Sequence, residues 1–300
     1  MAYTFDDFLD SVKVRGMIPT SQNTYTVERF KVMTNEEINT GILPMMLKIR
    51  ENYFSYDDDR AISSGGSYAI STRAIGGKVQ NLKLLSGTEL YDLPWLSEEE
   101  MNDTDESPIG GPGAFVKGNS VYLKPATDHG YDTLRMSIFL RHGRVVEEAD
   151  AAQITAINTG TKTLSFTSGT IPTSWTTSNT FDLIQANPQF DSLAIDQAIT
   201  SVTTTAIIFS STLPTRLAVG DWVSLAGETP IIQLPVEVHP LLAQLVANQC
   251  LKNSPHTKAH EEGVKEVMRL ENNVIALLSP RIEKEGKKLV NRTGLLRRGG

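Results

Sequence analysis

Apolar residues recur at helical spacing near both ends of the chain and at short spacing through its middle. Within 236–278, Val238, Leu241, Leu242, Leu245, Val246 and Leu251 mark a helix with one apolar face. Pro240 stands where a first helical turn tolerates proline. Ser254 and Pro255 then supply a cap and first-turn pair for a second helix, which carries Val264, Val267, Met268, Val274, Leu277 and Leu278 and is stopped by Ser279 and Pro280. One-sided helices need a partner. Near the N-terminus, Thr4 caps a short helix with Asp6 and Asp7 in its first turn, ended by Gly16 and Pro19. Thr26 caps a longer region in which Phe30, Met33 and Ile38 share a side, and Thr34 with Glu37 has capping-box spacing. Gly41 and Pro44 predict an interruption before the apolar run Ile42, Leu43, Met45, Met46, Leu47 and Ile49. Residues 26–54 are therefore the expected partner of the C-terminal helices.

The character changes at Tyr56-Asp57-Asp58-Asp59-Arg60, after which Gly, Ser and β-branched residues become common. Strand-like segments fall at 68–72, 79–85, 114–117, 120–124 and 133–140, and Gly118-Asn119 predicts a hairpin between the third and fourth. Further segments at 154–157, 163–166, 181–184 and 202–209 lie between Gly, Asn, Pro and Ser, the pattern of antiparallel strands rather than of βαβ units. Ala218-Val219-Gly220-Asp221 reads as a turn leading into a strand at Trp222. The predicted fold class is α+β: a small helical bundle core with a β-hairpin elaboration, an inserted antiparallel β domain for which a small barrel is one solution, and an extended C-terminal arm. Its divisions are 1–143, 144–234, 235–279 and 280–300.

Charge sharpens the picture of the arm. The net charge is −7, but residues 280–300 carry +5 and the preceding 279 carry −12. Arg281, Lys284, Lys287, Lys288, Arg292, Arg297 and Arg298 are interspersed with the apolar anchors Ile282, Leu289, Val290, Leu295 and Leu296. A basic arm on an acidic body suits an acidic neighbour, either another copy or a different protein, with nucleic acid as a third option. The opposite extreme is 92–106, where Asp92, Glu98, Glu99, Glu100, Asp103, Asp105 and Glu106 occur without any Lys or Arg. A solvated loop is the plain reading of that stretch; a channel or subunit boundary is the functional one.

Composition excludes more than it selects. Apolar residues make up 40% and charged residues 21%, as in globular chains. No apolar run is long enough for a membrane span, and the N-terminus lacks the pattern of a signal peptide. The single Cys250 excludes an internal disulfide and a multi-cysteine metal site, and a buried structural thiol is expected. Of the five histidines only His256 and His260 have i, i+4 spacing, without the intervening glutamate of a metalloprotease helix. Gly65-Gly66, Gly76-Gly77 and Gly110-Gly111 lack the context of a phosphate loop, and no serine lies in a nucleophile elbow. No catalytic residue, metal or cofactor is expected, and the chain is not read as an enzyme.

Four stretches carry a family likeness. TYTVERFKVMTNEEINTGILPMMLKIRENYF (24–54), YAISTRAIGGKVQNLKLL (68–85), GGPGAFVKGNSVYLKPA (110–126) and LLSPRIEKEGKKLVNRTGLLRRGG (277–300) resemble the head-tail adaptor, or neck, proteins of tailed bacteriophages. The resemblance implies a structural protein of the virion's head-tail junction, assembled in the host cytoplasm. It implies a homo-oligomeric ring, commonly of twelve copies, docked beneath the portal protein and followed by a downstream tail or nozzle protein. Genome DNA would pass through without specific binding, and no membrane is involved. The C-terminal extension of such proteins reaches into the portal or a neighbouring subunit. Residues 144–234 depart from the shorter adaptor pattern. The alternative is a tail-associated carbohydrate-binding or adhesive module built on 144–234, with Trp175, Phe181 and Trp222 as aromatic platforms.

Overall fold

The computed structural model describes residues 4–19, 24–87, 89–97, 112–126, 130–186, 190–252 and 257–279. Helix α1, Phe5–Arg15, opens with a capping box in which Thr4 and Asp7 each accept the other's backbone N–H at 3.4 Å. Its Phe5, Phe8, Leu9 and Val12 are buried. Helix α2, Val27–Glu37, is capped by Thr26, and the chain stays helical through a π turn, Ile38–Ile42, into α3, Leu43–Arg50. A 3₁₀ turn, Glu51–Phe54, follows. Gly41 and Pro44 thus widen the helix where an interruption is predicted.

The cause is local. Proline lacks an N–H and its ring collides with the carbonyl four residues back, so the bonding shifts by one residue and Leu43 N–H reaches Ile38 O. Side chains supply donors to carbonyls around the wide turn: Asn39 Nδ2 to Asn35 O at 2.7 Å and Thr40 Oγ1 to Glu36 O at 2.8 Å. Thr34, expected to restart a turn, is buried inside α2.

Helix α4, His239–Lys252, is the centre of the helical core. It is apolar nearly all round because it is enclosed nearly all round: Leu241, Leu242, Ala243, Val246, Ala247 and Cys250 share one core with Phe5, Phe8, Phe30, Ile38, Ile42 and Met46. Helix α5, Thr257–Leu278, closes this core with Val274. Each fully buried large side chain contributes roughly 1.5–3 kcal/mol, so α1 is a second substantial partner of this core beside 26–54. Burial also pushes the Cys250 thiol up to about 11, leaving it un-ionised at neutral pH.

Against the helices lies an antiparallel sheet ordered β1-β7-β3-β4, from β1 (Ser55–Ala61), β7 (Thr133–Leu140), β3 (Ala74–Ser86) and β4 (Glu89–Asp92). Strand β1 is SYDDDRA, which no alternation in the sequence marks as a strand. Its acids are answered from β7: Arg135 Nε and Nη2 donate to the Asp59 carboxylate at 2.7 and 2.8 Å, and Ser137 Oγ donates to Asp57 at 2.6 Å. A charged edge also discourages pairing with foreign strands. A three-stranded sheet joins β2 (Ser67–Ala69), β6 (Ser120–Lys124) and β5 (Gly113–Lys117). The β5–β6 turn is Gly118-Asn119, with Gly118 at φ 62°.

Six strands close a barrel in the order β10-β13-β12-β11-β14-β9. They are β9 (Ala152–Asn158), β10 (Thr163–Phe166), β11 (Thr180–Ile184), β12 (Ser192–Val202), β13 (Ala206–Phe209) and β14 (Trp222–Leu225). The single segment expected at 202–209 is the end of β12, a turn, and β13; Thr203 Oγ1 accepts from Ala206 N at 3.0 Å within that turn. Leu164, Phe181, Ile207, Phe209 and Val223 fill the interior, where Trp175 meets Phe181 edge-on at 4.9 Å. Trp222 is buried beside Ile184 and Phe190. Trp175, Phe181 and Trp222 are therefore core residues and form no exposed aromatic platform.

Candidate assembly surface and the junction behind it

Helix α5 follows from its amphipathic sequence, but its partner covers only part of the apolar arc. Gly263, Val267, Leu270, Val274 and Leu278 face the core, with Gly263 and Val274 buried. Close approach to α4 depends on Gly263, because a methyl group there would stand 2.1 Å from Asn248 Oδ1. Gln244 Nε2 donates to that same oxygen at 3.1 Å, and Arg15 Nη1 donates to Gln244 Oε1 at 3.2 Å, linking α1, α4 and α5. Gly263→Leu is expected to cost about 1–3 kcal/mol through overpacking and to lower the denaturation midpoint. An unchanged midpoint would rule out this close helix contact.

Beside the covered face runs a line of Val264, Met268 and Ile275, which are 37%, 59% and 44% exposed. Their i, i+4, i+11 spacing puts them on one side of the helix. Single exposed apolar residues are ordinary, whereas an aligned set on one helix marks a candidate contact surface. Leu277, on the opposite flank of the buried face, is also exposed. The helix ends at Leu278, and Ser279 N donates to Ile275 O at 3.0 Å.

The arm residues singled out from sequence, Arg281 to Arg298, lie outside the described residues, as do Glu98, Glu99, Glu100, Asp103, Asp105 and Glu106. The stem of the acidic stretch is described. Leu96 N donates to Ala114 O at 2.8 Å and Ala114 N to Pro94 O at 2.9 Å, so the chain leaves and returns beside β5. Leu96 covers Gly113, where a methyl group would stand 2.4 Å from Leu96 Cδ2. Asp92 pairs with Lys83 at 3.2 Å.

Sequence reasoning missed the junction between the barrel and the rest of the molecule. The segments entering and leaving the barrel pair in parallel as β8 (Arg144–Val145) and β15 (Glu228–Thr229). Around them Gly143 N donates to Gln233 Oε1 at 3.2 Å, Gln233 N to His142 Nε2 at 2.9 Å, and Val145 N to Asn35 Oδ1 at 2.9 Å. His142 donates from Nδ1 to Gly143 O, so its two partners define a neutral ring. His239 bonds through Nε2 to Leu234 O at 2.9 Å. Burial lowers both histidines from 6.5 to about 4.

Two charged contacts fasten the barrel. Buried Lys31 on α2 reaches Glu147 at 3.1 Å, just before the barrel, as well as Glu28. Asp182 on β11 is 1% exposed and lies 2.6 Å from Arg73 Nη1, at an angle short of a regular hydrogen bond. It accepts from Asp196 N at 3.0 Å and Gly227 N at 2.9 Å. Asp196 has φ 54° where the β11–β12 register shifts, which turns its N–H to Asp182. Burial raises the Asp182 pKa despite the opposing pull of Arg73 and the two N–H donors.

Beside the junction lies a cleft of about 580 Å³ where Arg135, Arg216, Asp57, Asp59 and Asp191 face one another. Arg216 pairs with Asp191 at 3.1 Å, and Arg135 with Asp59, so this charge braces the walls. Among the described residues no group of three or more His, Cys, Asp or Glu could hold a metal ion, and no helix is long and apolar enough to cross a membrane. The chain matches no protein-family profile and no curated protein.

Proposed function

We propose that this chain is a ring-forming structural adaptor of a phage head-tail junction, in which α5 presents a subunit contact and the arm that follows it engages the portal or a neighbouring copy. The observation that carries the reading is the continuity of two features: an uncovered apolar line on α5, and the +5 arm beginning directly after that helix. The four stretches that resemble adaptor proteins supply the class of assembly. Val264, Met268 and Ile275 provide apolar area that a monomer leaves in water, at about 25 cal/mol per Å². The arm supplies basic groups alternating with apolar anchors, and it meets its ordering cost only on assembly. The barrel is fastened to the core by Lys31, Arg73 and the paired strands β8 and β15, so it moves with the ring as one piece.

The test separates the two features. Removing residues 280–300 is expected to abolish co-sedimentation with purified portal rings, while Met268→Asp with Ile275→Asp weakens lateral association by roughly tenfold or more and leaves the monomer folded. Undiminished portal binding by the truncated chain would overturn the role of the arm. Unchanged self-association of the double variant would overturn the role of α5.

A further inference from the structure

A second cavity, of about 350 Å³, shares Arg141 and His142 with the cleft beside the junction. Its walls bring together Arg73, Arg141 and Arg144 with Asn35, Asn39 and Thr72, residues from three separated parts of the chain. No Asp or Glu lines it, although acids outnumber bases in this protein by seven. Arg73 is committed to Asp182, as already described. Arg141 and Arg144 form no ion pair among the described residues; Glu228, which feels the charge of Arg144, lies outside the lining.

We propose that this pocket is an oxyanion site that takes a phosphate group. Arg141 and Arg144, the two lining cations without an ion pair among the described residues, repel one another unless an anion enters, and a guanidinium presents its donors in a planar fork that matches phosphate oxygens. Neighbouring structure ties the backbone that carries both arginines. Arg141 N donates to Arg73 O at 2.9 Å and Arg144 N to Gly227 O at 2.7 Å, so both arginines extend from backbone tied to other segments. Asn39 is held by its bond to Asn35 O, and Asn35 by its bonds to Lys31 O and Val145 N. The backbone and the two asparagine amides of the lining are thus held before a ligand arrives, which limits part of the entropy lost on binding. The phosphate belongs either to a free phosphate compound or to a phosphodiester backbone. This inference stands independently of the adaptor reading.

Titration calorimetry of the full chain with inorganic phosphate, at constant ionic strength and with chloride as control, tests it. Saturable binding at one site is expected, weakened at least about tenfold by Arg141→Gln with Arg144→Gln. Circular dichroism and the denaturation midpoint check that the variant is folded, and Arg144→Gln alone, at an exposed side chain, provides a milder second variant. A short DNA duplex that competes with phosphate and weakens with the same substitutions assigns the site to a phosphodiester; a duplex that does not compete assigns it to free phosphate. Absence of saturable phosphate and duplex binding, or binding indifferent to both variants, overturns the proposal.

Discussion

Arg73→Met is expected to lose about 3–5 kcal/mol of stability at neutral pH, because it leaves the Asp182 carboxylate buried without its cation. The remaining donors, Asp196 N and Gly227 N, do not replace a charge. The pH dependence identifies the cause. Asp182 is raised above the ordinary carboxylate value by burial, so its protonation contributes stability that is fully present below about pH 3.8 and is lost as pH rises through the folded pKa. Removing Arg73 raises that pKa further, so the deficit of the variant is largest above it and narrows on acidification. Adding Asp182→Asn should restore much of the loss. Chemical denaturation of the two single variants and the double variant gives the coupling energy. Additive effects would show that the pair does not fasten the barrel.

The second large effect is acid lability from the junction histidines. His142 and His239 titrate at about 4 in the folded protein against 6.5 in the unfolded chain. Their contribution is therefore complete above pH 6.5 and is lost as pH falls towards 4, at about 3 kcal/mol for each ring. Protonating His142 at Nε2 removes the acceptor for Gln233 N–H and places a cation near His239. Unfolding free energies measured from pH 7.5 to 4.5 should fall steeply for the native chain and more gently for His142→Asn and His239→Gln. Parallel curves for all three proteins would place the acid-sensitive groups elsewhere. Asp182 acts in the opposite sense, so part of the histidine loss is offset at low pH.

Elements whose side chains alternate against a single core were legible. Thr133–Leu140 has the expected limits, and Gly118-Asn119 forms the expected turn, because burial period and turn chemistry act locally. Strand β1 was hidden because its three aspartates are poor strand formers; Arg135 and Ser137, distant in sequence, make the strand favourable. Strand β12 was hidden by the irregularity at Asp196, which breaks the alternation along Ser192–Val202. The π turn escaped because Pro44 usually predicts a helix boundary, whereas Asn39 and Thr40 supply donors that let this helix continue.

The basic composition of 280–300 was visible because it is contiguous in the sequence. The junction was not, since Asn35, Arg73, His142, Asp182, Gly227 and Gln233 become neighbours only when the barrel closes. One local signal was available, the run Arg141-His142-Gly143-Arg144 directly after β7. Its glycine fits closely: a methyl group at Gly143 would stand 3.1 Å from Thr229 Cγ2 and 3.2 Å from Gln233 Oε1, where the segments entering and leaving the barrel meet. The aromatic residues of 144–234 misled in the other direction, since an aromatic side chain between turn signals reads equally as a binding platform or as a barrel core.

The adaptor reading joins a basic arm to an uncovered helix face, and electron microscopy of the full chain mixed with purified portal rings tests that union most directly. The account predicts a closed ring of this protein beneath the portal, with adjacent copies meeting along α5 and residues 280–300 running into the portal or the next subunit. Portal rings left bare at saturating protein, or decorated by copies that do not touch through α5 or the arm, would contradict it.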